Sequence, residues 1–240
     1  MNWNNYLLEE KSPVGHYAHL GVIDGTIRAP YDLSELPKDA TIVGIGTPLK
    51  KFKLKYTNFA SLIRNDKIEA ITLNDIDEER FAVFSTMPNL KYLKISINKQ
   101  EEIPDLSCLK SLEVLILASI KKAKDVEFLK DIKNLKTLYI DGINNLYDLT
   151  PISHLSNLQE LCIGHGKMSG TGKAVKSIKP LKELTELKYL HLSVAIEEKN
   201  IGLDSLFGLK KLQKISLLPR YLKDEQKDIL KKELPLIKDL

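Results

Sequence analysis

Apolar and polar positions in this chain follow a six-residue unit that returns at a nearly constant interval. The unit is apolar at its first, fourth and sixth positions: Ile68-Ile71-Leu73, Leu90-Leu93-Ile95, Leu112-Leu115-Leu117, Leu135-Leu138-Ile140, Leu158-Leu161-Ile163, Leu187-Leu190-Leu192 and Leu212-Ile215-Leu217. Successive first positions lie 22, 22, 23, 23, 29 and 25 residues apart. The fourth and sixth positions fall on the same side of an extended chain, so each unit predicts a short strand buried on one face.

A second pattern precedes each strand. Apolar residues recur every third position, as in Ile103, Leu106, Leu109 before Leu112 and Val126, Leu129, Ile132 before Leu135. The same holds for Leu146, Leu149, Ile152, Leu155 before Leu158, and for Val175, Ile178, Leu181, Leu184 before Leu187. Phe81, Phe84, Met87 lead to Leu90, and Leu203, Leu206, Leu209 lead to Leu212. That period suits a 3₁₀-like or α turn whose inner edge faces a core. One coil is then strand, tight turn and helical return. No coil buries its own apolar edge, so stacked neighbours must close the core.

A repeat of 20 to 29 residues carrying Leu-x-x-Leu-x-Leu resembles the leucine-rich-repeat family in its short, about 22-residue form. The resemblance covers roughly residues 60 to 220. It implies an α/β solenoid, a curved array of about seven repeats with a parallel sheet on its concave face. The family's turn Asn, eight positions after the first Leu, is matched by Asn98. Ile76, Ile120, Ile143, Gly166, Ala195 and Arg220 fill the other slots. Without an Asn ladder there, the turns must satisfy their backbone groups in another way.

Both ends of such an array need covering. Residues 1–60 read as a β-rich N-terminal cap, residues 61–220 as the repeats, and residues 221–240 as a C-terminal helical cap. In the first segment, Asp24-Gly25 between apolar residues signals a hairpin. Ala40 to Ile45 reads as a strand and a degenerate first repeat. Thr57 to Asn65 reads as a short helix capped by Thr57 or Asn58. Asp224 to Leu234 reads as a helix with acidic start and basic end, burying Ile229, Leu230 and Leu234. A separate functional domain in residues 1–60 is the alternative.

Composition adds less. With 36 basic and 32 acidic residues, the net charge of +4 describes a solvated surface and only weakly favours an acidic partner. Two cysteines, Cys108 and Cys162, cannot build a disulfide framework, which points to a reducing compartment. No run approaches the 18 apolar residues of a membrane span. The start, Met1-Asn2-Trp3-Asn4-Asn5, has no signal-peptide character, so a cytoplasmic location is expected.

Candidate chemistry is thin. The stretch 164–174, rich in Gly, follows a strand and precedes a helical return, where a phosphate loop belongs. Lys167 stands where that motif needs its first Gly, and Ala174 where it needs Ser or Thr. This stretch also absorbs the extra length of the 29-residue coil, so it reads as an insertion. His16 and His19 have no further ligands to complete a metal shell. Cys162 and His191 occupy the middle of neighbouring strands, but strand neighbours about 5 Å apart meet in any solenoid. No third orienting group completes a catalytic set. The expectation is no cofactor, no metal and no catalysis. Cys108 reads as a small residue near the convex core edge.

The third and fifth positions of each unit point away from the core, onto the concave face. They bring together Tyr92, Lys94, Val114, Ile116, Tyr139, Glu160, Cys162, Tyr189 and His191, with Asp141 and His165 at the turn entries. Aromatic residues among aliphatic and small polar ones have the composition of protein-binding hot spots. The expected function is therefore a non-catalytic protein-binding module whose partner, a folded protein, contacts these residues. Bacterial repeat proteins that resemble this one include toxin-neutralising (immunity-type) partners, which implies an inhibitory or scaffolding role. Nucleic-acid binding is a weaker alternative, because Asp141 and Glu160 interrupt Lys94 and Lys214 as a phosphate track. An enzyme or ligand-binding protein using residues 1–60 or 164–174 is the other.

Overall fold

The computed structural model describes residues 23–48, 50–74, 76–96, 100–164, 173–198 and 203–238. All seven strands of the repeat units are present, preceded by the strand expected within Ala40 to Ile45 and by one more at Ile27–Arg28. The strands are β1 (Ile27–Arg28), β2 (Ile42–Ile45), β3 (Ala70–Leu73), β4 (Tyr92–Ser96), β5 (Val114–Ala118), β6 (Thr137–Asp141), β7 (Glu160–Gly164), β8 (Tyr189–Ser193) and β9 (Lys214–Leu217). They form one parallel sheet in chain order. The register aligns the repeat units residue for residue: Leu93 pairs with Leu115, Leu115 with Leu138 and Leu138 with Leu161. At about 4.8 Å per strand the sheet runs on the order of 40 Å. This is a leucine-rich-repeat-type α/β solenoid.

Entry to each strand is locked by shared acceptors. The Glu69 carbonyl accepts from Lys91 N and Tyr92 N at 2.8 and 3.0 Å, and the Lys91 carbonyl accepts from Glu113 N and Val114 N, both at 2.9 Å. The carbonyls of Glu113, Lys136, Gln159 and Lys188 repeat the arrangement. Each coil therefore positions the next through main chain alone.

The return segments are mostly 3₁₀ turns, at Phe59–Leu62, Leu106–Cys108, Glu127–Leu129, Thr150–His154, Lys179–Glu183 and Leu203–Leu206. Helix α1 (Glu78–Phe84) replaces one of them; its start is capped by Asp77, whose Oδ1 accepts from Arg80 N at 2.9 Å. Leu106, Val126, Leu129, Leu149, Ile152, Ile178, Leu181 and Leu206 are all buried in a single core with Leu93, Leu115, Leu138 and Leu161. A period of three fits the 3₁₀ turn because side chains at i and i+3 eclipse.

Where the family's turn Asn is missing, the turns are built differently. Ile76, Ile120 and Ile143 point into the core and are fully buried. The side-chain amide of Gln100 then serves the Ile76 backbone from both ends, accepting from its N–H at 3.0 Å and donating to its carbonyl at 2.6 Å. Farther along, Gly142 sits at φ 79, and a Cβ there would lie 3.1 Å from Ser119 Cα. Asn98 and Gly166 lie outside the described residues.

The ends differ in detail from the sequence expectation. Asp24-Gly25 does turn, with Thr26 N donating to the Ile23 carbonyl at 3.1 Å. Among the described residues, however, β1 has a parallel partner, β2, and the other arm of the expected hairpin lies outside them. β2 pairs with β3 in the register of a repeat, Val43 opposite Ile71. Asn58 does not cap its helix: it adopts φ 59 and its Nδ2 donates to Asp32 Oδ1 at 2.8 Å. Helix α2 (Asp224–Glu233) buries Leu230 and, just past its end, Leu234, but Ile229 is 48% exposed and takes no part in the core. Cys108 is exposed instead of lying at the core edge. No described helix is long and apolar enough to cross a membrane.

Candidate functional site

Strand alternation divides the sheet into two apolar populations. The fourth and sixth positions of each unit belong to the main core, whereas Ala70, Tyr92, Val114, Ile116, Tyr139 and Cys162 form a second cluster on the opposite face with Ile23 and Ile42. The register sets Tyr92 beside Val114, Ile116 beside Tyr139, Tyr139 beside Cys162, and Cys162 beside His191. Ten of the eleven expected contact residues thus share one face, and His165 lies outside the described residues.

Their environment is not the one expected. A bare sheet face leaves the tips of large side chains in water, yet Tyr92 is 1% exposed, Ile116 0%, and Tyr139 and Cys162 3% each. Val114 and Tyr189 are buried as well, while Asp141 and His191 are partly open. Shielding is deepest over β4 to β7; Thr72 on β3, His191 on β8 and Ser216 on β9 keep partial exposure. The centre of the expected binding surface is closed to solvent.

Two charges are closed in with it. Lys94 is 6% exposed and Glu160 0%. Burial pulls the Lys94 ammonium below the usual lysine range. The two sit on β4 and β7, three strands or about 14 Å apart, so they do not pair directly. Thr137 Oγ1 donates to Glu160 Oε2 at 3.2 Å. Tyr92, Lys94, Tyr139, Glu160 and Tyr189, all buried, and the partly exposed His191 and Lys214 each make a polar, ionic or ring interaction beyond those named so far. Tyr189 OH also donates to Gln213 Oε1 at 3.1 Å.

The Cys162–His191 neighbourhood opposes nucleophilic chemistry. Burial first, then the carboxylates of Glu160 and Asp141, push the Cys162 thiol well above its ordinary value. A reactive cysteine needs the reverse, a cationic setting that stabilises thiolate. Of the Gly-rich insertion, residues 165–172 lie outside the described residues; Lys173 Nζ donates to Asn145 Oδ1 at 3.4 Å.

Sequence reasoning missed a ladder along the edge where the chain enters the strands. Asn89 Nδ2 donates to the Asp66 carbonyl at 2.8 Å, Asn134 Nδ2 to Lys110 at 2.6 Å and Asn157 Nδ2 to Lys133 at 2.8 Å. Ser111 Oγ donates to the Pro88 carbonyl at 2.5 Å in the same slot. These residues line an open polar groove of about 570 Å³ with Lys91, Glu113, Lys136 and Gln159. The signal was legible: each stands immediately before the first Leu of its unit.

The strand ladder, repeat register and single stacked core define the chain as a leucine-rich-repeat-type solenoid. No family model matches it, and no curated protein does. Among solved structures it is similar to an internalin (inlF) from Listeria monocytogenes, at 20% identity and TM-score 0.48 over 77% of this chain and 64% of that one. It is also similar to internalin C2 of the same organism, at 17% identity and TM-score 0.44 over 78% and 86% of the two chains. A plant peptide hormone receptor, RGFR1 in complex with RGF2, aligns at 18% identity and TM-score 0.45 over 92% of this chain and 38% of that one. The likeness is one of fold.

Proposed function

We propose that the chain is a non-catalytic protein-binding module that grips a folded partner along the concave face of its sheet. The observation that carries this reading is a second apolar cluster, with Tyr92, Ile116 and Tyr139 at its centre, on the face the core does not use. Stacking of the repeats requires leucines on the core side. It does not require three tyrosines, a buried lysine and a buried glutamate on the other. Large aromatic anchors surrounded by smaller contacts are the make-up of energetic hot spots, and separate buried charges of opposite sign, Lys94 and Glu160, add orientation more than affinity. A partner held this way has its own surface occluded, which is how an inhibitory, toxin-neutralising protein acts.

The test is capture from native lysate with three full-length baits compared quantitatively: the unaltered chain, Tyr139→Ala, and Lys130→Ala on the exposed convex side. The proposal expects one protein retained by the first and third baits and depleted on the second. Retention should persist from 50 to 200 mM salt, because phosphate-driven binding loses several orders of magnitude over that range. Equal retention on all three baits, or collapse with salt, contradicts the reading.

A further inference from the structure

Helix α2 gives one side to the solenoid and keeps a second apolar line outside. Leu230 and Leu234 are buried in the main core. Lys210 Nζ donates to the Glu233 carbonyl at 2.8 Å, and Lys238 N to the Gln213 carbonyl at 2.8 Å, so the end of the helix is pinned. One residue before Leu230, and so about 100° round the helix, Ile229 remains 48% exposed. Leu222 and Leu236 stand seven residues before and after Ile229, flanking the helix itself. Leu236 is exposed and Leu222 partly buried. With Glu225 and Lys232 between them, the line reads Leu222-Glu225-Ile229-Lys232-Leu236, at steps of 3, 4, 3 and 4 residues. That is the spacing of a seam between two helices. Glu225 and Lys232 are exposed, and among the described residues neither has an ion-pair partner in its own chain.

We propose that this line is a self-association surface, on which a second copy of the chain docks its own α2 antiparallel about a two-fold axis at Ile229. The line is self-complementary in that arrangement. Running the second helix backwards sets Ile229 on Ile229, Leu222 beside the other copy's Leu236, and Glu225 beside the other copy's Lys232. The last two contacts occur twice, as an isologous interface requires. A parallel pair would instead set Glu225 on Glu225 and Lys232 on Lys232. The helix ends agree with the antiparallel choice. Each acidic start, with Asp224, Glu225 and Asp228, meets a basic end with Lys231 and Lys232, and the helix dipoles oppose favourably. Ten residues of helix are about 15 Å long, less than a standard interface covers, so the pair belongs to the weak, concentration-dependent class. The main core that holds α2 and the concave cluster lie on opposite faces of the sheet. This inference therefore stands apart from the protein-binding reading above.

The test is sedimentation equilibrium of the full-length chain from roughly 5 to 500 μM, at about 50 and 500 mM salt, with melting curves alongside. The proposal expects a monomer–dimer equilibrium that weakens at the higher salt and weakens at least tenfold in Ile229→Asp. Glu225→Lys alone and Lys232→Glu alone each set like charges together at both contacts, and each should weaken association at least fivefold. An equimolar mixture of those two single variants should restore it, because every altered residue then faces the opposite sign in the other copy. A monomer throughout the range overturns the proposal. So does a dimer that Ile229→Asp leaves intact, or a mixture that associates no more tightly than its two components. Should Ile229→Asp fail to fold, the charge mixture decides alone.

Discussion

Thr137 on β6 donates its hydroxyl to the carboxylate of Glu160 on β7, at 3.2 Å, and both side chains are fully buried on the sheet face opposite the core. A hydrogen bond to a buried charge contributes roughly 1.5–3 kcal/mol, and removing one partner leaves the other desolvated. Thr137→Val is therefore expected to destabilise the fold by about 1–3 kcal/mol. In the Thr137→Val/Glu160→Gln cycle, the two changes should couple by about 1 kcal/mol or more, read by urea denaturation. Strict additivity would mean that the pair is open to water and that the face is not closed.

The core makes a simpler demand. Leu138 is fully buried between Leu115 and Leu161 in the strand register. Leu138→Ala should cost about 2–5 kcal/mol, and because coils contact only their neighbours the loss should lower the melting temperature of several repeats together. An unchanged melting curve would contradict the stacking.

The edge ladder carries a smaller load. Asn134 reaches the Lys110 carbonyl one coil back at 2.6 Å, and the Asn sits at the surface. Asn134→Ala should cost about 1 kcal/mol, and Asn134→Ala with Asn157→Ala nearly the sum, since each bond joins a different pair of coils. Chemical denaturation of the two single variants and the double variant decides this.

Cys162 supplies a pH dependence. Its thiol is held above the ordinary value of 9.0, so between 9.0 and the folded-state value the native chain binds more protons than the unfolded one. Stability contributed by Cys162 is present below about pH 9 and falls as pH rises through that window. Lys94 acts in the opposite sense: its folded value lies below 10.5, so its share rises with pH up to that value. Subtracting the pH profile of Cys162→Ala from that of the unaltered chain isolates the thiol, and the difference should decline with rising pH above 9. A difference independent of pH would place the thiol in water.

The architecture was largely legible because its cause is local. Leu-x-x-Leu-x-Leu sets the alternation of a strand, and a spacing near 22 sets the stack, so register follows from counting. β1 escaped because Ile27–Arg28 is too short to show alternation. The Asn ladder escaped because it occupies the slot before Leu90, Leu135 and Leu158, while the slot expected from the resemblance holds Ile76, Ile120 and Ile143, which fill the core. For the candidate site, alternation identified which face Tyr92, Ile116 and Tyr139 share. It said nothing of their burial, because periodicity reports orientation within a strand and not what lies above it.

The central claim is that the concave face is the working surface. It is tested most directly by calorimetric titration of the captured partner into four full-length proteins, the unaltered chain, Tyr139→Ala, Lys130→Ala and Lys182→Ala, with melting curves alongside. Tyr139 lies at the centre of the buried cluster, whereas Lys130 and Lys182 are exposed on the return side. The account predicts that Tyr139→Ala weakens binding at least tenfold, about 1.4 kcal/mol, in protein that remains folded, while the two lysine variants bind as the unaltered chain does. Normal binding by Tyr139→Ala together with loss of binding in either lysine variant would contradict it.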